Sequence, residues 1–243
     1  METLQFYKRI MKESKSILII GTQRSGTNSL TFALNKEIRG GKMDGPYSTR
    51  EPWNYNSPFV RNNDTSIDWT KTPYNLDLIE TSNVVIKTQS FQKPKHFPGS
   101  SVEFMEQLAK RFNKNRIIIL CRKDYDEHII SYTNLRYKVY MHGYWTGLAQ
   151  KTWELSEIPQ EYLDNKEEQA IIHKYVTEQR QLISEISDKL NIGISYHEDL
   201  FGTNRQVSLE LIQSWNLGVD ADTVNRDLHP RHKLNKTHVK SLI

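Results

Sequence analysis

The sequence predicts an α/β fold in which a mostly parallel central sheet is flanked by helices on both faces. Short runs of β-branched and aliphatic residues recur at Ile17–Ile20, Asn83–Lys87, Arg116–Cys121 and Ile192–Tyr196, apolar enough to be buried on both faces. Segments with apolar residues at helical spacing separate them, and strands alternating with helices imply parallel neighbours joined by crossovers. The 243 residues, 37% of them hydrophobic, suit a single domain spanning 1–243 with one substantial core.

In chain order, residues 1–14 read as a short amphipathic helix leading into the first strand. Gly21 ends that strand and opens a loop, after which Leu30, Phe32, Ala33 and Leu34 fit a helix. From Gly40 to Thr81, Gly, Pro, Asn, Ser and Thr interrupt the aromatics Tyr47, Trp53, Tyr55, Phe59, Trp69 and Tyr74, which reads as an ordered functional loop region. The second strand ends in polar Lys87-Thr88-Gln89-Ser90. Ser100 and Glu103 have the spacing of a capping box ahead of a helix carrying Phe104, Leu108 and Phe112. Arg122 stands just past the third strand, and a helix is expected over 124–140, followed by a loop over 141–155 with Tyr144, Trp145 and Trp153. Asn165 with Glu168 opens a long helix whose face runs from Ile172 to Leu190 and which Asn191 and Gly193 stop. After the fourth strand, Thr203 with Gln206 is expected to cap a helix carrying Val207, Leu211 and Trp215, ended by Gly218.

Composition narrows the function. A balance of 33 basic against 29 acidic residues is too even to argue for nucleic acid, although five basic residues and one acid, Asp227, fall between Arg226 and Lys240. That run reads as a solvated basic end or as an anion clamp. Cys121 is the only cysteine, which excludes an internal disulfide and makes a reducing compartment acceptable. With no apolar leader segment and no run long enough to span a bilayer, the chain is expected to be soluble and cytoplasmic, without a membrane partner.

Chemistry concentrates at the strand ends, where open α/β sheets bind ligands. The loop Gly21-Thr22-Gln23-Arg24-Ser25-Gly26-Thr27-Asn28-Ser29 joins a strand to a helix, so its backbone N–H groups and the helix dipole can converge on an anion. Gly21 and Gly26 have the spacing of the P-loop pattern G-x-x-x-x-G-K-[ST], but Thr27-Asn28 stands where Lys-Ser/Thr would be. The cation is instead Arg24, a forked donor in mid-loop. Lys87 and Arg122 close the next two strands, so three consecutive strand ends suit an anion.

These segments resemble the sulfotransferases that use 3′-phosphoadenosine 5′-phosphosulfate (PAPS). Gln23, Arg24, Ser25, Gly26, Thr27, Asn28 and Ser29 are similar to the family's 5′-phosphosulfate loop. Val85-Ile86-Lys87-Thr88-Gln89 resembles its Lys-Thr-His strand end, in which the lysine supports the transferring sulfuryl group; Gln89 replaces the histidine that serves as base. Arg122 and Ser131 match the arginine and serine that hold the 3′-phosphate, one residue further apart than usual. With the extra residue in the loop before the helix, Ser131 keeps its face; within the helix it would swing about 100° away. Tyr196-His197-Glu198-Asp199-Leu200 resembles the Tyr-Glu-Asp-Leu element whose aromatic ring approaches the adenine, with His197 in the tyrosine's place. Glu51-Pro52-Trp53 resembles the Glu-Pro-Leu-Trp element of carbohydrate sulfotransferases and makes Glu51 the candidate base, with His96 and His142 in reserve.

The resemblance implies a three-layer P-loop-type fold and in-line transfer of a sulfuryl group from PAPS to a hydroxyl acceptor. Adenosine 3′,5′-bisphosphate would be the product, with no metal, and Lys87, Arg24 and Glu51 would act in catalysis. The acceptor, a carbohydrate or a small aromatic or alcohol, is expected among the aromatic loops at 47–74 and 136–153. The family's Arg-Lys-Gly motif is absent, and the basic tail is the alternative clamp for the 3′-phosphate. A magnesium-dependent small-molecule or nucleotide kinase of the same fold is the rival enzyme. A non-catalytic nucleotide-binding protein is the second rival, suggested by Gln89.

Overall fold

The computed structural model describes residues 16–39, 83, 85–93, 97–142 and 158–232, with backbone alone at 39, 138–142 and 230–232. The expected helix at 1–14, the aromatic loop region, Glu51, His96, the His142 side chain and the basic run beyond His232 therefore lie outside the described residues.

Among the described residues four parallel strands form the sheet, in the order β2-β1-β3-β4: β1 Ile17–Gly21, β2 Val85–Gln89, β3 Ile117–Cys121 and β4 Ile194–Tyr196. The helices are α1 Thr27–Arg39, α2 Ser101–Ala109, α3 Tyr125–His142, α4 Gln160–Leu163, α5 Lys166–Leu190, α6 His197–Phe201, α7 Arg205–Ser214 and α8 Ala221–His232. Strand alternation divides the core into two halves. Leu18, Ile20, Ile86, Ile117, Ile119 and Cys121 face α2 and α5 through Phe104, Met105, Leu108, Ile183 and Ile186. Ile17, Ile19, Val85, Ile118 and Leu120 face the other way, onto Leu30, Ala33 and Leu34 of α1 and onto Ile212, Val224 and Leu228 of α7 and α8. Two buried faces explain why these strands read as unbroken apolar runs.

The capping box at Ser100 and Glu103 is present, and Asn165 caps α5 as its spacing predicts. Several boundaries differ from expectation. β2 begins and ends two residues later than the sequence predicts, so Lys87, Thr88 and Gln89 lie inside the sheet, all buried. β4 starts at Ile194 because Asn191 takes the left-handed conformation that ends α5, with φ 51°. The cap of α7 is Asn204, whose Oδ1 accepts from the Gln206 N–H at 3.1 Å, rather than Thr203. Tyr196–Leu200, expected at the end of a strand, turns into α6 at His197 because the strand stops as soon as its pairing with β3 runs out. The helix α8 has no counterpart among the elements expected from the sequence. It forms because Val224 and Leu228 are fully buried against α1 and α7, and it takes Arg226 and Asp227 out of the basic run, Asp227 pairing with Lys36 of α1 at 2.8 Å.

This topology creates one special place. The chain leaves β1 toward α1 on one face and then pairs β2 beside it; it leaves β3 toward α3 and α5, which belong to the opposite side of the sheet, and pairs β4 beyond. The carboxyl ends of the neighbouring strands β1 and β3 therefore diverge to opposite faces, and such a switch point leaves a crevice in which open α/β sheets bind ligands. Among the described residues no helix is long and apolar enough to cross a membrane.

Candidate functional site

The loop at the switch point is held by its own backbone and by four surrounding elements. Gly21 has no room for a side chain, since a Cβ would strike Thr27 Cγ2 and stand 3.0 Å from the Leu120 carbonyl. Thr22 N–H bonds that carbonyl at 3.2 Å, and Ser25 Oγ donates to the Thr22 carbonyl at 2.7 Å, closing the turn. Arg24 and Gly26 both take positive φ, 65° and 88°. At Gly26 a Cβ would collide with the Phe201 ring and approach His197 Nδ1 to 2.9 Å, so α6 packs directly beneath the loop. His197 Nδ1–H donates to the Ser25 carbonyl at 3.0 Å, and its ring lies 4.7 Å from that of Phe201. The chain then enters α1, whose opening N–H groups at Thr27, Asn28 and Ser29 have no carbonyl a turn earlier within the helix. Left-handed residues ahead of a helix N-terminus build a concave set of N–H groups suited to an anion.

Cationic side chains meet at this loop from the loop itself, from the middle of β2 and from just past β3. Arg24 Nε donates to Ser131 Oγ at 3.2 Å, and Arg122 Nε donates to the Arg24 carbonyl at 2.9 Å. Lys87 shares the sheet face of Val85, which looks onto α1, and its Nζ donates to Asn28 Oδ1 at 2.5 Å. Asp124 Oδ1 accepts from the Glu127 N–H at 2.9 Å and so starts α3. Ser131 faces the loop, as its bond with Arg24 shows. Gln23, Arg24, Ser25, Gly26, Thr27, Asn28, Ser29, Lys87, Arg122, Ser131 and His197 thus meet around one turn, while Glu51 and His96 lie outside the described residues.

The two arginines differ in their company. Arg122 has carboxylates on its guanidinium, Glu127 at 3.1 Å and Glu198 at 3.8 Å. Burial lowers its pKa and those carboxylates raise it again. Arg24 has a neutral hydroxyl and, among the described residues, no carboxylate within ion-pair distance. Burial, and then repulsion from Arg122, pull its pKa down from 12.5 to about 10. A half-buried cation beside a like charge is stabilised most by an added anion. No cluster of His, Cys, Asp and Glu able to hold a metal occurs among the described residues.

Sequence reasoning missed four residues that build the site. His128, fully buried one turn before Ser131, donates through Nε2 to the Gln23 carbonyl at 2.8 Å. Gln179 accepts the Gln23 N–H on Oε1 at 2.7 Å. Arg180 donates to the Arg122 and Lys123 carbonyls at 2.7 and 3.1 Å, and Glu198 accepts the Lys123 N–H at 2.7 Å. Gln179 did leave a signal, as the one polar member of the buried stripe Ile172, Val176, Gln179, Ile183 and Ile186. Gln89 shares the face of Lys87, is buried, and has its N–H bonded to Gln92 Oε1 at 2.8 Å. Comparison with family models, curated proteins and solved structures gives no match.

Proposed function

We propose that the chain is a PAPS-dependent sulfotransferase that transfers a sulfuryl group to a hydroxyl acceptor. The observation that carries this is Arg24: a half-buried guanidinium with no carboxylate beside it among the described residues, repelled by Arg122, standing on a loop of left-handed residues at the N-terminus of α1. Such a site suits a negatively charged group. A second cation and a hydroxyl beside it, Arg122 and Ser131, match a ligand carrying two separate anionic groups, which PAPS does and ATP-type kinase substrates do differently. The kinase reading is weaker because the Lys-Ser/Thr pair that serves the β/γ-phosphates and magnesium is replaced by Thr27-Asn28.

When bound, the donor would supply an activated sulfuryl group with charge on its equatorial oxygens and on the leaving phosphate. The N–H groups that open α1 at Thr27, Asn28 and Ser29, together with Arg24, would hold that phosphate and steady its growing charge. Lys87, tied to Asn28 at the start of α1, would place an ammonium on the same side. Preorganisation supplies the catalysis, since these donors are already oriented by the fold. Gln89 carries an amide that takes no proton near neutrality, so the base must come from elsewhere, and Glu51 is our candidate. The aromatic loops at 47–74 and 136–153 are the proposed acceptor region, for a carbohydrate or a small aromatic or alcohol.

Titration calorimetry tests the donor half: adenosine 3′,5′-bisphosphate should bind well and 5′-AMP much more weakly. Equal affinities would remove the 3′-phosphate from the proposal. Arg24→Ala and Lys87→Ala should each abolish sulfuryl transfer from labelled PAPS to a panel of acceptors without unfolding the chain. Retained transfer in both variants would overturn the catalytic roles of the two cations.

A further inference from the structure

We infer that His128 and Gln179 are positioning residues that clamp the Gln23–Arg24 segment from both sides, so that the guanidinium of Arg24 is aimed at the anion. This rests on the functional reading above. The Gln23 N–H is held by Gln179 Oε1 at 2.7 Å and its carbonyl by His128 Nε2 at 2.8 Å, so both backbone polar groups of that residue are bonded to side chains from different helices. The next residue, Arg24, sits at φ 65°, a left-handed conformation that costs a side-chain-bearing residue about 1 kcal/mol or more and persists only when its surroundings over-determine it.

Stability alone does not account for the two clamping residues. Among the described residues, His128 Nδ1 and Gln179 Nε2 are buried without a partner, although His128 is 0% and Gln179 1% exposed. An apolar residue would suit either position better, were it not for the loop. The backbone carbonyl accepts only, so Nε2 of His128 must carry the ring proton, and burial together with the neighbouring Arg122, Arg180 and Arg24 keeps the imidazole neutral. A neutral donor reaches the loop without adding a fourth positive charge beside the three arginines. The clamp is completed by Ser131, one turn along the same helix, which receives Arg24 Nε at 3.2 Å. One face of α3 therefore fixes both the backbone and the side chain of the loop's cation.

The test uses the full chain and adenosine 3′,5′-bisphosphate as the probe. His128→Gln carries a donor near the position of Nε2, His128→Asn is polar but too short to reach, and His128→Leu is apolar; Gln179→Met removes the acceptor. Calorimetry should show affinity falling about tenfold or more in the Leu, Asn and Met variants, the worth of a buried hydrogen bond. His128→Gln should restore it. In parallel, the 15N–1H resonance of Arg24 Nε should move in the same three variants and return in His128→Gln, a signature that a purely structural role would not produce in a folded variant. Wild-type affinity and an unmoved Arg24 resonance in the Asn and Met variants would overturn the clamp. Failure of the wild type to bind the bisphosphate would overturn the functional reading instead, and the Arg24 resonance would still decide the clamp.

Discussion

Arg24 and His128, which bonds the carbonyl of the residue before Arg24, have opposite electrostatic problems. Arg24 stays charged although burial and Arg122 disfavour it, whereas His128 stays neutral because charging it would cost more still; its pKa falls from 6.5 to about 4. Between those values the unfolded chain binds a proton that the folded chain does not, so stability is lost as pH falls through that window. Going from pH 7 to pH 5 should cost about 2 kcal/mol in urea unfolding through this residue, at about 1.4 kcal/mol per pH unit below the unfolded value. His128→Gln, which has no titrating ring, should lose correspondingly less over the same range. At this scale the sequence disclosed Arg24, Lys87 and Arg122 because each cation follows a short apolar run, and Ser131 through the resemblance of its segment to a known motif. It did not disclose His128 or Gln179, whose meaning depends on a loop about a hundred or more residues away that only the fold brings near.

Helices α3, α4 and α5 show how an element is fixed in place independently of the site. Arg136 on α3 makes a forked pair with Glu168 on α5, at 2.8 and 3.0 Å, and Tyr162 of α4 donates to the same carboxylate at 2.9 Å. That arrangement holds the Glu168 carboxyl below its ordinary pKa, chiefly through the Arg136 hydrogen bond, and raises the Tyr162 phenol through burial first. Ile129 and Tyr132 pack against Ile172 and Val176 of α5, so α3 is anchored twice. Glu168→Ala should therefore destabilise the fold by about 1–3 kcal/mol, the range for losing charge-assisted bonds, while calorimetry finds bisphosphate affinity nearly unchanged. A large loss of affinity would mean that Ser131 depends on this staple rather than on the apolar contacts. Element identities were legible wherever caps and apolar stripes agreed, as in α2 and α5. They were missed where tertiary packing decided, as in α8, whose polar sequence yields a helix only because Val224 and Leu228 find α1 and α7.

Over the whole molecule, the central strand β1 ties the fold to the candidate site. Its neighbours on either side, β2 and β3, deliver Lys87 and Arg122 to the two flanks of the loop that β1 itself opens, and its two faces feed separate halves of the core. The site therefore forms only when the entire sheet is paired, and an unfolded chain retains no comparable cluster of donors. Binding linkage then makes a global prediction: adenosine 3′,5′-bisphosphate at about a hundred times its dissociation constant should add about 2.7 kcal/mol to unfolding free energy, since it binds the folded state alone. The same nucleotide concentration should stabilise Arg24→Ala far less, because the loop would keep its N–H groups but lose its cation. A small part of that gain should fade as salt rises, since charge attraction is screened over about 10 Å at 0.1 M ionic strength but less where, as at Lys87 and Arg122, the cations are largely buried. Urea unfolding with and without the bisphosphate, for both chains and at two salt concentrations, reads all of this at once. Equal stabilisation of the two chains would mean that the nucleotide is held somewhere other than the turn between β1 and α1.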